Sequence, residues 1–576
     1  MVRHARAALV AAVVITGACK KEQVGPAVAK PSIGVARTSA SGFVARPTPI
    51  DLSSLSVPAL FAHVPADTPY MIASFEAIPL EFWGKLKDAV GPTFQKIIDK
   101  AITTDPDGGG EVRQLLDVIR EEMGGAWSAA GLERIGFSAT PRFAMYGLGV
   151  MPVVFRLEVK DHRTVLATIE RVAKRMKEPL EPRLAHQGRE YWRFQDAMVD
   201  FIIALVDNQL VMAVGPREKL DRSLGLVLGT EKPRASMADG RFLAQAAARH
   251  GFGPHFIGFV DTRQLLEQGV AYQTDALLPA CRTAIERFSE RVPRAVFGYS
   301  PLNSNLWSGG LVIELAPDLV KELAALRVEV PGLEAAVTET SIVAFGVGMD
   351  LDRGRQLALR AVLGMRGVAE ACEGADTVES FKELEAVLFR PLPAALASIT
   401  GGVITVEQLE FGPSGGMPEK LDAIAFVTSK DGNALFSQLE TMIPLGQLGV
   451  VADGLLHPVQ GLPVPFPLHA GVGKHAVAIS AGGEAATSLA QKVLAAGRSG
   501  PSPFVLMSYD YGRWLELELQ VDNLIGSDDD EDELDEEFAP YEQELNEKLG
   551  TMYGRSAASL DVTDEGLVFW GTLEVK

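Results

Sequence analysis

The feature that most constrains this chain is internal: a series of segments in its second half repeats, in the same order, a series in its first. Val159-Lys160-Asp161 leads into a segment with Val165, Leu166 and Ile169 at helical spacing. Ser429-Lys430-Asp431, 270 residues further on, leads into Leu435, Phe436 and Leu439. Each is preceded by an apolar strand, Val153-Val154-Phe155 and Ile424-Ala425-Phe426, and each strand by a Met-Pro pair, Met151-Pro152 and Met417-Pro418. Downstream, a strand, turn and strand from Phe201 to Gly215, turning at Asp207-Asn208, matches Leu468 to Gly482, turning at Gly473-Lys474. A helical segment with Ser223-Leu224 matches one with Ser488-Leu489. Phe256 to Asp261 matches Phe504 to Asp510, each a strand ending in an aspartate that reads as a helix N-cap. A long helix and a β-hairpin close each half, the hairpins being Ala295 to Leu315 and Ser556 to Val575.

This order predicts an α+β fold of two tandem related halves, 58–337 with a connector and 338–576. Strands joined by tight turns imply largely antiparallel sheets, with helices packed on one face. The pattern leaves open how the halves pack together.

The start of the chain carries an address. Arg3 and Arg6 precede a short apolar run, Ala7 to Ile15, far below the roughly 20 residues a membrane-spanning helix needs. Thr16-Gly17-Ala18-Cys19 resembles the lipobox of bacterial lipoproteins, with Thr16 in place of the usual leucine. The resemblance implies cleavage after residue 18, diacylglycerol on Cys19, and stable anchoring through two or three acyl chains. Ordinary secretion with a free Cys19 is the alternative. Lys20 stands where an aspartate would signal inner-membrane retention, so the expected address is the outer membrane, facing the periplasm. Residues 19–57, rich in Ala, Pro, Ser, Gly and Lys, read as a tether.

Composition excludes one class of partner. Losing Arg3 and Arg6 with the signal takes the net charge from −20 to −22, and such a chain lacks the basic stripe that a phosphate backbone requires, so no nucleic acid is expected. With 47% hydrophobic residues the body has ample material for real cores. Beyond Cys19 only Cys281 and Cys372 remain. In an oxidising compartment the pair is expected to form a disulfide closing a loop of about 90 residues, which the chain-entropy model makes worth about 4–5 kcal/mol. Two buried free thiols are the alternative.

Val64-Pro65-Ala66-Asp67-Thr68-Pro69-Tyr70, followed later by Tyr146-Gly147-Leu148-Gly149 and Pro152 running into the strand that ends at Lys160-Asp161, resembles uncharacterised envelope lipoproteins and secreted proteins of Gram-negative bacteria that open with a "VPADTP" segment. The resemblance spans most of the body and implies an architecture and an address. It brings no activity.

Motifs that carry chemistry are sparse. Gly412-Pro413-Ser414-Gly415-Gly416 fits the G-x-S-x-G pattern, but a strand follows it where a nucleophile elbow needs a helix, so it reads as a hairpin loop. Gly471-Val472-Gly473-Lys474-His475-Ala476 lies between two strands and is a turn, not a dinucleotide fingerprint. Asp105, Asp107 and Glu111 surround three glycines, yet Leu116 stands where a calcium loop requires its bidentate acid. The nine histidines show no metal-ligand spacing: His162, His186 and His250 read as solvated, and His469 and His475 flank one turn. No metal or cofactor is expected.

Asp528 to Glu537 is acidic at nine of ten positions. Asp528, Asp529, Asp530, Glu531, Asp532 and Glu533 read either as a solvated helix start, where carboxylates favour the dipole, or as a weak cation or basic-partner patch. Gly461 to Pro467 is apolar and Pro-rich, which suits an exposed lip or a packed edge. Three functions stay open: a non-enzymatic binding or scaffold lipoprotein, which leads; a carrier or sensor of an apolar ligand held between the halves; and an enzyme (a hydrolase) whose groups meet only in space.

Overall fold

The structure, a computed structural model, describes residues 55–79, 93, 96, 109–125, 128–175, 183–195, 199–274, 278–302, 305–372, 375–411, 418–441, 445–497, 500–525 and 533–576. The signal segment, Cys19 and nearly all of the tether lie outside this set. So do the Gly412–Gly416 motif, Asp105, Asp107 and five residues of the acidic run.

The first half contributes strands β1 (Tyr70–Ala73), β2 (Phe143–Gly147), β3 (Val153–Glu158), β4 (Leu184–His186) and β5 (Arg189–Gln195). It continues with β6 (Asp200–Val206), β7 (Gln209–Gly215), β8 (Ile257–Asp261), β9 (Arg294–Tyr299) and β10 (Leu306–Glu314). The second half contributes β11 (Val343–Gly348), β12 (Ile399–Phe411), β13 (Pro418–Ser429), β14 (Leu456–Pro458) and β15 (Leu468–Val472). It ends with β16 (Ala476–Ala481), β17 (Val505–Asp510), β18 (Tyr553–Thr563) and β19 (Gly566–Val575). All nineteen belong to one sheet, and every pairing is antiparallel.

Reading outward from the middle, the first half runs β10, β9, β8, β1, β2, β3, β7, β6, β5, with β4 at its edge. The second runs β19, β18, β17, β11, β12, β13, β16, β15, β14. The order of the first nine strands is the same in both, and β4 has no described counterpart. The halves therefore join edge to edge, through an antiparallel ladder between their final strands that runs from Leu306↔Glu574 to Glu314↔Gly566.

Following the ladders inward from Asp261 and Asp510, Phe259–Val296–Val312 in one half stands where Ser508–Ala557–Thr572 stands in the other. Gly310 and Trp570 then occupy equivalent positions, and the seam pairs them with each other. A Cβ on Gly310 would lie 2.5 Å from the Trp570 ring, so the small residue makes room for the large one. Trp570 is buried, stacks on Phe252 at 5.4 Å and donates its Nε1–H to Ser308 Oγ at 2.8 Å.

Where a single helical layer is expected, the structure has two. Val154 and Ala213 face one side with the helix Arg217–Leu228, whose Leu220, Leu224, Val227 and Leu228 fill the main core. Phe155 and Met212, paired on the other side, meet Val165, Leu166 and Ile169 of the helix His162–Arg175. The reason is that outer strands such as β6 and β7 are apolar at nearly every position and need cover on both faces. In the second half, Glu484–Ala495 covers the first side and Gly432–Glu440 the other.

The second half's packing also begins earlier than residue 338. Val330, Leu333, Ala336 and Val337 lie in its core, as Leu60, Phe61 and Val64 lie in the core of the first. The VPADTP segment is a strand entry: Val64 O accepts from Met237 N–H, Ala66 N–H donates to Ala235 O, and buried Thr68 donates to Gly147 O at 2.6 Å.

Candidate functional site

In an antiparallel pair, directly opposed residues point to the same face. On the side away from the main core, one row crosses the seam as Phe345–Met507–Ala558–Gly571–Gly309–Tyr299. The next runs Val347–Val505–Leu560–Phe569–Leu311–Phe297. Ile404, Ala425 and Ile479 extend the first row into the second half. These rows carry no charged side chain. Yet Phe345 is 44% exposed, Ile404 55%, Ile479 46% and Phe569 46%, while their in-strand neighbours Ala344, Ala478, Val568 and Trp570 are buried. A Cβ on Gly571 would make only ordinary contacts, the nearest at 3.5 Å, so this glycine leaves open floor. A contiguous apolar surface of this kind marks a place where something binds.

Helices frame this face. Leu357, in the helix Leu351–Ala371, packs with Val505, Leu560 and Leu567 at one end of the strands. At the other end, Leu549 of the helix Glu533–Met552 packs with Trp307, Tyr553 and Leu573.

The expected disulfide is present. Cys281 opens the helix Pro279–Arg291 of the first half, and Cys372 caps Leu351–Ala371 of the second; their Cα atoms are 4.6 Å apart. The bridge thus ties half to half. Of the six candidate patch residues Asp528 to Glu533, only Glu533 is described, as the first residue of its helix. The Gly412–Gly416 motif lies between β12 and β13, which pair as a hairpin. Among the described residues no group of three His, Cys, Asp or Glu side chains could hold a metal ion, and no helix is long and apolar enough to cross a membrane.

His250 departs from expectation: it is not solvated but fully buried. Its Nε2 lies 2.9 Å from Glu314 Oε1 in β10, and its Nδ1 lies 3.0 Å from Glu565 Oε2 in the β18–β19 turn. Each ring nitrogen thus lies within hydrogen-bond distance of one carboxylate. Burial works to raise the Glu314 carboxyl, but the His250 hydrogen bond and Arg294 Nε, 3.1 Å away, more than offset it and hold it below its usual value. This cluster joins the halves on the core side of the sheet.

A second polar centre is Arg156, also fully buried. Its Nε donates to Tyr146 Oη at 3.0 Å, its Nη1 to Gln209 Oε1 at 3.0 Å, and its Nη2 to the carbonyls of Leu226 and Val227. Those carbonyls belong to a helix C-terminus, whose partial negative charge faces the guanidinium. The same cation bears on His63: burial first, then Arg156, lowers its pKa to about 4. Both centres are structural in kind, since they are spent on partners within the fold.

These features define an α+β protein built on one long antiparallel sheet with an open apolar face at its centre. No family model, no curated protein and no solved structure matches the chain.

Proposed function

We propose that this chain is a lipid-anchored, non-enzymatic binding or scaffold module of the bacterial envelope, held by Cys19 to the outer membrane and facing the periplasm. Its binding surface is the open apolar face of the sheet. The observation that carries this reading is the pair of apolar rows across the seam, whose large side chains stay exposed while their neighbours are buried. The likeness of Val64–Tyr70 to the VPADTP envelope proteins belongs to the same proposal, as does the descent of both halves from one module, which the repeated strand order supports.

An apolar ligand is the second reading, and one feature favours it. The central strands are paired on both sides and their rows bear no charge, so an occupant finds few hydrogen-bonding partners there. A hydrocarbon chain needs none.

Native mass spectrometry of the mature chain, purified gently from an envelope fraction, tests the surface. The expected result is a bound mass, or a crosslinked envelope partner, that Phe345→Asp with Phe569→Asp removes. Retention of the same mass or partner by that variant would overturn the assignment. Incorporation of labelled fatty acid into wild type but not Cys19→Ser tests the anchor.

A further inference from the structure

The helix Leu351–Ala371 and its return helix Ala375–Phe389 form a hairpin that leaves the sheet after β11 and comes back before β12. Its near end is fixed twice: Leu357 packs at the end of the second half's strands, and Arg360 pairs with Glu322 of the connector between the halves at 2.7 Å. Its far end reaches the first half and is fixed there by the Cys281–Cys372 bond. Along Leu351–Ala371 only Val362 is buried among the described residues, and Val387 and Phe389 of the return helix are 67% and 73% exposed. At its far end the strap lies along the helix Pro279–Arg291, and the disulfide is the covalent part of that contact. On the opposite diagonal of the molecule, the helix Glu533–Met552 meets the first half through hydrogen bonds from Thr93 and Lys96 to Glu544. One crossing is covalent and the other is not.

We propose that the Cys281–Cys372 disulfide is a reducible clamp that holds this strap across the seam. Cys372 is partly exposed and Cys281 is fully buried, so an incoming thiolate reaches the Cys372 sulfur. Attack there by a dithiol reductant breaks the S–S bond, and Cys281 leaves as a thiolate and takes up a proton. The reductant's second thiol then displaces Cys372 and closes the reductant's own disulfide, so two electrons and two protons pass to the protein. The freed strap lifts from the helix Pro279–Arg291. Resting on the binding surface proposed above, this opens that surface from one end.

The test uses the mature full chain with and without a phosphine reductant, beside a Cys281→Ser/Cys372→Ser variant. Trypsin cleavage after Arg366, Lys382 and Arg390 is followed by mass spectrometry, and an anilinonaphthalene dye reports the apolar face. Reduction is expected to speed cleavage at those sites at least tenfold and to raise dye binding, with far-UV circular dichroism unchanged. The double variant should match the reduced protein in either condition. Unchanged cleavage with both thiols shown free, a bond that resists reduction until the protein unfolds, or cleavage everywhere at once would each overturn the clamp. Faster cleavage with unchanged dye binding would overturn the opening of the face. Absence of dye binding in both states, with cleavage accelerated, would count against the binding surface and leave the clamp standing.

Discussion

His250 has no contact with water, and its two nitrogens end on carboxylates from different halves of the chain. Removing the ring by His250→Ala would take a hydrogen-bond partner from Glu314, which keeps Arg294, and from Glu565, and losing buried hydrogen bonds to charged groups is expected to cost about 2–3 kcal/mol. Urea unfolding of the variant should show that loss, and a change below 1 kcal/mol would refute the bridge. His63 gives a pH signature of the opposite kind. Its pKa in the fold, about 4, lies below the ordinary histidine value of 6.5, so the folded state resists protonation. The stability it contributes is complete above 6.5 and is lost as pH falls toward 4. Discounted for partial exposure, the effect is on the order of 2 kcal/mol. Melting curves of wild type and His63→Gln should converge across that window, and parallel pH profiles would refute the assignment. His250 was legible in part. Leu243, Ala246, Ala247 and His250 share one helical face, but the flanking Arg249 and Gly251 look like a surface turn. Its partners, distant in sequence, could be found only in the fold.

At the level of elements, the repeat was readable because turns and caps leave local marks: Asp207-Asn208 and Gly473-Lys474 for the tight turns, Asp261 and Asp510 at the strand ends. A further mark lies between the elements. Asp261, Arg294 and Glu314 sit opposite one another on β8, β9 and β10, and Asp510, Arg555 and Glu574 stand in the corresponding places of the second half. The spacing from the aspartate to the arginine is set by unlike helices, so the match is hidden in the sequence. Cover on both faces was also written there, in runs such as Phe201 to Val206 that have no polar alternation. The open face was not, because exposure in β19 depends on which helices arrive above it. Phe569 and Val568 look alike in sequence but are 46% and 5% exposed. Phe569→Asp is therefore expected to shift the unfolding midpoint little, by about 0.5 kcal/mol or less, whereas Val568→Asp should prevent folding or cost several kcal/mol. Soluble expression and chemical denaturation of the two variants separate these outcomes, and equal damage would contradict the assignment of faces.

On the scale of the molecule, two like sheets could have met face to face, and the sequence pattern does not distinguish that arrangement from an edge-to-edge one. The edge solution leaves one face of the central strands open, which is why the candidate surface lies at the seam. It also lets the central pair be unequal. Two identical chains would place the same residue on both sides of the axis, whereas one continuous chain pairs Gly310 with Trp570. If the seam is as important as this suggests, deleting 566–576 should cost more than the packing of one strand. The expected product is an aggregating or oligomeric protein, read by light scattering, and a stable monomeric truncation would show that β10 does not need its partner.

The strand that completes the first half is made after all the other strands described above. Until it arrives, β10 presents a row of unpaired backbone groups to whatever is near, a template for pairing with the wrong chain. Completion of the early half thus waits until the second half has been made, and a pairing so distant along the chain forms slowly. Any polypeptide cut short before residue 566 keeps that open border, which makes the presence of the strand Gly566–Val575 a marker by which a chaperone or protease can tell a closed sheet from an open one.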